Sequence, residues 1–342
     1  MFTFAGKLHI NNFSCIMANV IKIKKGLDIN LKGKASDVLL NGGKSESYAI
    51  VPDYYNGILP KVVAKVGEKV KAGSVLMIDK NRPEIKFVSP VSGEVTAVNR
   101  GEKRKVLSIV VKPDAQIEYE EFGKKNVASL QGAEVKEVLL NAGMWPFIKQ
   151  RPYDIVAAPL DTPRDIFVSA FYSAPLAPNF DFIVKGQEAD FQTGLNALAK
   201  LTNGKVYVGV RSGSVVSGMK GVEIVEVEGP HPAANVGVQI NHIKPVNKGE
   251  VVWTVNPADV IVIGRLFNKG VADFSRMVAI TGSETTERGY VKTISGCTIK
   301  SLVNGKVLGQ EHIRIISGNV LTGTKVNMDG YLGAYDNQIT VI

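Results

Sequence analysis

Between about residue 54 and residue 112 the chain alternates short β-branched runs with glycine and proline. The pattern is clearest in Val66-Gly67-Glu68-Lys69-Val70-Lys71-Ala72-Gly73-Ser74-Val75-Leu76 and in Phe87-Val88-Ser89-Pro90-Val91-Ser92-Gly93-Glu94-Val95. Apolar positions punctuated in this way predict tightly folded antiparallel strands. Val106-Leu107-Ser108-Ile109-Val110-Val111 closes the region as a strand ending before Pro113. Upstream, the stretch from Met17 to Gly26 alternates like a strand, and short strands are expected around Gly26-Leu27-Asp28. A polar, glycine-containing connection follows through Asn41-Gly42-Gly43-Lys44-Ser45.

From about residue 127 the period changes. Val135, Val138, Leu139 and Ala142 fall at helical spacing, as do Phe191, Leu195 and Leu198, the latter helix stopped by Asn203-Gly204. Asp154 to Ala158, Ile166 to Phe171, Lys205 to Val210 and Val222 to Val227 read as strands. Helices alternating with strands predict an α/β layer on a mainly parallel, Rossmann-like sheet over residues 127–255. After about residue 250 the helical signal fades, and Val260-Ile261-Val262-Ile263 is an apolar window of strand length. Over residues 256–342, two strands around Gly282 and a short helix beginning near Ser295 give an order that resembles a soluble-ligand-binding β-grasp (SLBB) domain. The first glycine-turned region, in turn, resembles a barrel-sandwich hybrid of the biotinyl/lipoyl type. The expected fold class is therefore α/β and β multidomain: barrel-sandwich hybrid (17–112), Rossmann-like α/β domain (127–255), β-grasp segment (256–342).

Residues 1–16 fit neither a signal peptide nor a structural element, so Met17 reads as the start and the preceding stretch as an upstream extension. The chain stops at Ile342 inside a strand-like run, which reads as a truncation. No apolar run approaches the ~18–20 residues of a membrane helix. The two cysteines, Cys15 and Cys297, exclude a disulfide framework and a cysteine-held zinc or iron–sulfur site. The net charge of +9 is concentrated: residues 17–112 hold 18 Lys and Arg against 9 Asp and Glu. That excess suits either a solubilising surface or one that meets an acidic partner or anionic headgroups. It does not suit nucleic acid, since no aromatics are interleaved with the lysines and no recognition motif accompanies them.

Candidate chemistry is sparse. Lys80 occupies the place of the modified lysine of a lipoyl or biotinyl hairpin, but Asn81-Arg82-Pro83-Glu84 reads better as an ordinary solvated turn. No G-x-G-x-x-G joins a strand to a helix; Gly209-Val210-Arg211-Ser212-Gly213-Ser214 has the wrong spacing and reads as a polar loop. Gly229-Pro230-His231-Pro232-Ala233 holds an imidazole on a stiff backbone at a strand end, where α/β sheets bind ligands; the same loop also suits a rigid interface. His242 reads as a packed or surface histidine following a strand. Asn141 to Phe147 ends the first helix with Trp145 and Phe147, which suit either a flat apolar pocket or a buried staple. No Ser/His/Asp, Cys/His or paired-carboxylate arrangement can be assembled, so no independent catalytic site is expected.

Taken in order, Ile23-Lys24-Lys25-Gly26-Leu27-Asp28, Phe87-Val88-Ser89-Pro90-Val91-Ser92-Gly93, Gly143-Met144-Trp145, Arg151-Pro152, Gly229-Pro230-His231-Pro232-Ala233, Arg314-Ile315-Ile316-Ser317-Gly318 and Tyr331-Leu332-Gly333 resemble the NqrA family, components of the bacterial sodium-translocating NADH:quinone reductases. The resemblance runs from about Met17 to the end. It implies a peripheral subunit on the cytoplasmic face of the bacterial inner membrane, docked on five other subunits and with no transmembrane segment of its own. Ubiquinone or menaquinone would be the substrate of the complex, contacted here at the step from ubisemiquinone to quinol. No covalent cofactor is implied for this chain; NADH, flavins and iron–sulfur clusters would belong to other subunits. His231, Trp145 and Phe147 become the candidates for quinone or partner contact. Flavin-binding relatives of the family carry a glycine-rich loop where this chain has Gly143-Met144-Trp145-Pro146-Phe147, and those bulky side chains would block a flavin phosphate. Other readings are a carrier arm on Lys80 or a ligand-binding adaptor built on the β-grasp segment.

Overall fold

The computed structural model describes residues 20–309 and 313–342. The expectations for residues 1–16, Met17 and Cys15 fall outside them. Strand β1 (Val20–Lys22) comes first, followed by an extended stretch without regular structure. Seven strands then build the barrel-sandwich hybrid: β2 (Tyr48–Ile50), β3 (Pro60–Val62), β4 (Lys69–Val70), β5 (Val75–Asp79), β6 (Lys86–Val88), β7 (Gly93–Arg100) and β8 (Val106–Pro113). They pair antiparallel in a four-stranded sheet, β2-β8-β7-β4, and a three-stranded sheet, β3-β5-β6. Leu76, Met77, Ile85, Phe87, Val91, Val95, Ile109 and Val111 fill the space between the sheets. Gly93, the first residue of β7, permits a close strand approach: it has φ +155, and a Cβ there would collide with the Lys112 carbonyl of the paired strand.

The α/β domain contains α1 (Gly132–Asn141), β9 (Ile148–Arg151), β10 (Ile155–Val156), β11 (Ile166–Ser169), α2 (Phe180–Val184), α3 (Glu188–Ala199), β12 (Val206–Val210), β13 (Glu223–Glu228), α4 (Val236–Ile243), β14 (Val252–Val255) and α5 (Pro257–Lys269). Its seven-stranded sheet has the order β1-β13-β12-β11-β14-β9-β10. β1, β13, β12, β11 and β14 run parallel, whereas β9 and β10 are antiparallel. β11, β12 and β14 read as continuous apolar runs because helices cover the middle of the sheet.

Three expectations are corrected here. Val260 to Ile263 is not a strand but the middle of α5, so the helical signal does not end near residue 250. Every residue from Pro257 to Phe267 is buried, because α5 lies among α3, α2 and the third domain; burial all round erases the amphipathic period. Its end signals remained legible: the Asn256 side chain accepts from the Ala258 amide, Pro257 opens the first turn, and Gly270 closes the helix at φ +78. Second, no strand forms around Gly26 to Asp28. Third, His242 does not follow a strand; it lies in the last turn of α4. α5 also packs on α3 although it follows residue 255, and β1 joins the α/β sheet although it precedes the barrel.

The third domain comprises β15 (Ser275–Thr281), β16 (Gly289–Ile294), α6 (Ile299–Val303), β17 (Ile315–Ser317), β18 (Thr324–Val326) and β19 (Gln338–Val341). Its sheet has the order β16-β15-β19-β17-β18, with β15 and β19 parallel. Ile299, Leu302 and Val303 bury one face of α6.

Candidate functional site

In the α/β sheet the chain proceeds from β11 to β12 and β13 on one side, then crosses back to place β14 on the other side of β11. α3 and α5 pack together, and α4 lies against β11. The crevice beyond the carboxyl ends of β11 and β14 is therefore a topological switch point, where open α/β sheets receive ligands. A cavity of about 600 Å³ occupies that place.

One wall of the cavity comes from β9, whose alternation turns Lys149 and Arg151 toward the partly exposed side and buries Ile148 and Gln150. Lys149 Nζ sits 4.0 Å above the centroid of the Tyr335 ring and 3.8 Å from Asp154 Oδ2. Arg151 Nη2 is 3.3 Å from Asp154 Oδ1, while Arg151 Nε is buried with no hydrogen-bond partner. The opposite wall is Phe171 and Tyr172 after β11, and Asn256 at the start of α5. Tyr172 donates its hydroxyl to Asn256 Oδ1 (3.0 Å) and accepts from Asn337 Nδ2 (3.0 Å); Tyr335 donates to the Pro146 carbonyl (2.7 Å). Burial pushes both phenols above the ordinary tyrosine range, so they stay neutral. The N-terminus of α4 also opens here, and its N-cap, Asn235, makes no side-chain capping bond.

Of the residues the sequence singled out, Phe147 lines this cavity and is 5% exposed. Trp145 does not. It is fully buried, its Nε1 donates to the Ala157 carbonyl at 2.8 Å, and its ring stands edge-on to Trp253 at 5.4 Å. The pair packs the core between the turn after α1 and β14.

His231 lies beside a second cavity. Its Nδ1 is 3.1 Å from Ser173 Oγ, its amide donates to Asp28 Oδ1 (2.8 Å), and its carbonyl accepts from the Leu27 amide (2.9 Å). Ser173 and Asp28 line a polar cavity of about 700 Å³ at the ends of β11 and β12, with Arg211 and Asp181. Phe171 and Tyr172 line both cavities and so form their shared wall. The structure thus separates His231 from Phe147. His242 is exposed, with Nδ1 2.8 Å from the Val238 carbonyl.

Lys80 is exposed on the turn between β5 and β6, and that turn is pinned. Asp79 accepts from the Leu59 and Asn81 amides and from Arg82 Nε (2.8 Å); Arg82 then donates to the carbonyls of Val156 (3.1 Å) and Gly57 (2.9 Å). Cys297 is fully buried, and burial raises its thiol above the usual range, which removes nucleophilic character. Among the described residues no group of three His, Cys, Asp or Glu side chains is placed to hold a metal ion.

Lys149, Tyr172, Asn256 and Tyr335 are not singled out by the sequence, and Arg151 enters it only within the Arg151-Pro152 resemblance. The alternation Ile148-Lys149-Gln150-Arg151 was a strand signal, and Asn256-Pro257 before an apolar run was a helix start. Nothing local marks the two tyrosines.

Comparison with known proteins accords with this architecture. Three family models match: "NqrA N-terminal barrel-sandwich hybrid domain" over residues 21–114, "NqrA second alpha/beta domain" over 130–272, and "NQRA C-terminal domain" over 277–328. The NqrA component of the Na(+)-translocating NADH-quinone reductase of Neisseria meningitidis serogroup A is 36% identical over 328 residues, covering 94% of this chain and 73% of the relative. Its counterpart in Yersinia pseudotuberculosis serotype O:1b shows the same identity and coverage, and that of Hahella chejuensis is 37% identical over 329 residues, with 94% and 73% covered. Among solved structures, an NAD+-reducing [NiFe]-hydrogenase in the H2-reduced state aligns with TM-score 0.38 and 12% identity over 54% of this chain and 41% of that one. No helix among the described residues is long and apolar enough to cross a membrane. With all three domains matched in order, the chain belongs to the NqrA family and is one component of a Na+-translocating NADH:quinone reductase complex.

Proposed function

We propose that this subunit receives quinone in the cavity at the β11–β14 switch point and serves the reduction of quinone to quinol. The observation that carries the reading is a single arrangement: the Lys149 ammonium over the Tyr335 ring, with Phe147, Phe171 and Tyr172 as aromatic walls. A quinone ring needs flat apolar surfaces and a donor to a carbonyl oxygen, and a cationic donor stabilises the oxygen as negative charge develops on it. Conversion to quinol consumes two electrons and two protons. The electrons would come from other subunits and the two protons from solvent water entering the cavity. Lys149 supplies a hydrogen bond to one carbonyl, while the neutral Tyr172 and Tyr335 keep their protons and hold the wall in place.

No catalytic residue or bound cofactor is assigned to this chain. Flavins, iron–sulfur clusters and NADH would belong to the other subunits; in support, the bulky Trp145 and Phe147 are buried at the turn after α1. The location follows the same reading: peripheral, on the cytoplasmic face of the inner membrane, docked on membrane-spanning partners.

The test uses the two tryptophans, Trp145 and Trp253, as reporters. A short-chain quinone titrated into the protein should quench their fluorescence saturably, and Lys149→Met should shift the midpoint about tenfold, as expected for a lost bond to a charged donor. Linear, unsaturable quenching, or an unchanged midpoint in Lys149→Met, would overturn the proposal.

A further inference from the structure

After β1 the chain crosses the surface from the α/β domain to the β-grasp domain as a strap without helix or strand from Ile23 to Ser36. It is anchored at both ends. The Ile23 amide donates to the Glu228 carbonyl (2.9 Å), the Leu27 amide to the His231 carbonyl (2.9 Å), and the Gly282 amide to the Gly33 carbonyl (2.8 Å). A Cβ on Gly26 would collide with the His231 carbonyl, and one on Gly33 with the Gly282 backbone, so the anchors are tight.

Every residue from Lys24 to Lys32 is exposed. Exposed connections are ordinarily polar, yet this one presents Leu27 (71% exposed), Ile29 (41%) and Leu31 (40%) to solvent. Lys24 and Lys25 precede the three aliphatics, and Lys32 and Lys34 follow them. Lys22 pairs with Glu228 at 3.6 Å, whereas those four lysines make no ion pair among the described residues and stand free in solvent.

We propose that this strap docks the protein on an anionic lipid bilayer, with Leu27, Ile29 and Leu31 entering the headgroup layer and the four lysines meeting lipid phosphates. Charge complementarity carries the assignment. Residues 22–37 hold five lysines against two aspartates, and both aspartates are engaged by the protein: Asp28 accepts from the His231 amide and Asp37 from Asn179 Nδ2, each at 2.8 Å. Lysine stems lie along apolar surface while their ammonium groups stay at the phosphates. Stable attachment takes two signals, and the strap supplies both, apolar insertion and a basic cluster. A protein partner fits less well, because protein hot spots favour Trp, Tyr and Arg, and residues 22–37 contain none of them. The fixed anchors spare the strap much of the ordering cost of binding. It contributes no residue to the switch-point cavity, so the inference stands apart from the quinone reading.

The test is cosedimentation of the full chain with phosphatidylcholine vesicles, with and without phosphatidylglycerol. Binding is expected only where phosphatidylglycerol is present, and it should weaken as salt is raised. The variant Lys24→Gln, Lys25→Gln, Lys32→Gln, Lys34→Gln should bind at least about a hundredfold more weakly. Leu27→Asn, which leaves the charge unchanged, should lose about three- to tenfold. A charge-matched variant of the barrel surface, Lys61→Gln, Lys65→Gln, Lys80→Gln, Lys112→Gln, should keep most of the affinity. Three results would each overturn the proposal: no binding to phosphatidylglycerol vesicles, which leaves an acidic protein as the occupant; equal losses in the two lysine variants; or wild-type binding by Leu27→Asn.

Discussion

Asp259 on α5 and Arg276 on β15 meet across the junction between the α/β layer and the β-grasp sheet, with Arg276 Nη2 donating to Asp259 Oδ1 at 2.9 Å and both side chains almost wholly buried. The pairing is incomplete, because Asp259 Oδ2 and Arg276 Nε have no partner. Arg276 also points Nη1 at the Asp336 carbonyl (3.4 Å) and Asn337 Oδ1 (3.5 Å). The two partners should therefore be unequal. Arg276→Met leaves a carboxyl uncompensated in the interior and is expected to cost about 3–5 kcal/mol. Asp259→Asn leaves Arg276 with other acceptors and should cost less than half as much at pH 7. The double change Asp259→Leu with Arg276→Met should recover most of the loss. Urea denaturation at constant pH measures all three.

The pH dependence carries a sign that separates Asp259 from Asp273. Burial pushes the Asp259 carboxyl up to about 6 despite Arg276. The unfolded chain ionises this group near pH ~4, whereas the folded chain holds the proton until about 6. Its contribution is complete at low pH and is lost as pH rises through that window. The stability of the wild type relative to Asp259→Asn should fall between pH 4 and pH 6 and then level off.

For Asp273 burial also opposes ionisation, but Lys269, Arg265 and Ser275 outweigh it and hold the carboxyl down to about 2. The stability it contributes is present above the ordinary aspartate range and lost as pH falls toward 2. Relative to Asp273→Asn, the wild type should show an advantage of about 2 kcal/mol at neutral pH that disappears on acidification. A pH-independent gap in either variant would contradict these assignments.

α3 and α5 approach closely enough that a side chain has no room at two glycines. A Cβ on Gly264 would collide with the Asp190 carbonyl, and one on Gly194 with the Val260 carbonyl. Alanine gains up to ~1 kcal/mol of helix propensity over glycine, but overpacking costs ~1–3 kcal/mol. The backbone clash should win, so Gly264→Ala is expected to lower Tm. Calorimetry decides, and an unchanged or higher Tm would mean that the helices separate freely.

His231 and Lys149 should part company in function. His231→Gln is expected to leave quinone quenching unchanged, since the imidazole faces Ser173 rather than the switch-point cavity. It should also leave limited proteolysis of the stretch from Lys24 to Asp28 unchanged, because that stretch is held by the His231 amide and carbonyl rather than by its ring. Lys80 should carry no lipoyl or biotinyl group in intact-mass measurement, because the hairpin that bears it is tied down through Asp79 and Arg82.

Much of the fold was legible in the chain, and the misses have physical causes. α1 and α3 each expose one face, so their periods survive at Val135, Leu139, Phe191, Leu195 and Leu198. α5 buries all its sides, so Val260 to Ile263 mimicked a strand. The barrel was readable because its turns require glycine. The site was not, because a switch-point cavity is made by strand order. Lys149, Tyr172, Asn256 and Tyr335 are brought together only after β14 has crossed to the far side of β11. The Trp145 and Phe147 cluster was visible as a pair, yet the turn that carries them sends one ring into the core and the other to the cavity.

The parallel pairing of β1 with β13 makes the barrel an insertion within the α/β layer rather than a bead ahead of it. An excised fragment beginning near residue 130 would strip the sheet of its border and leave the hydrogen-bonding groups of β13 from Glu226 to Glu228 open to self-association. Dissection of this protein should therefore retain the segment that supplies Val20 to Lys22, or accept an adhesive edge.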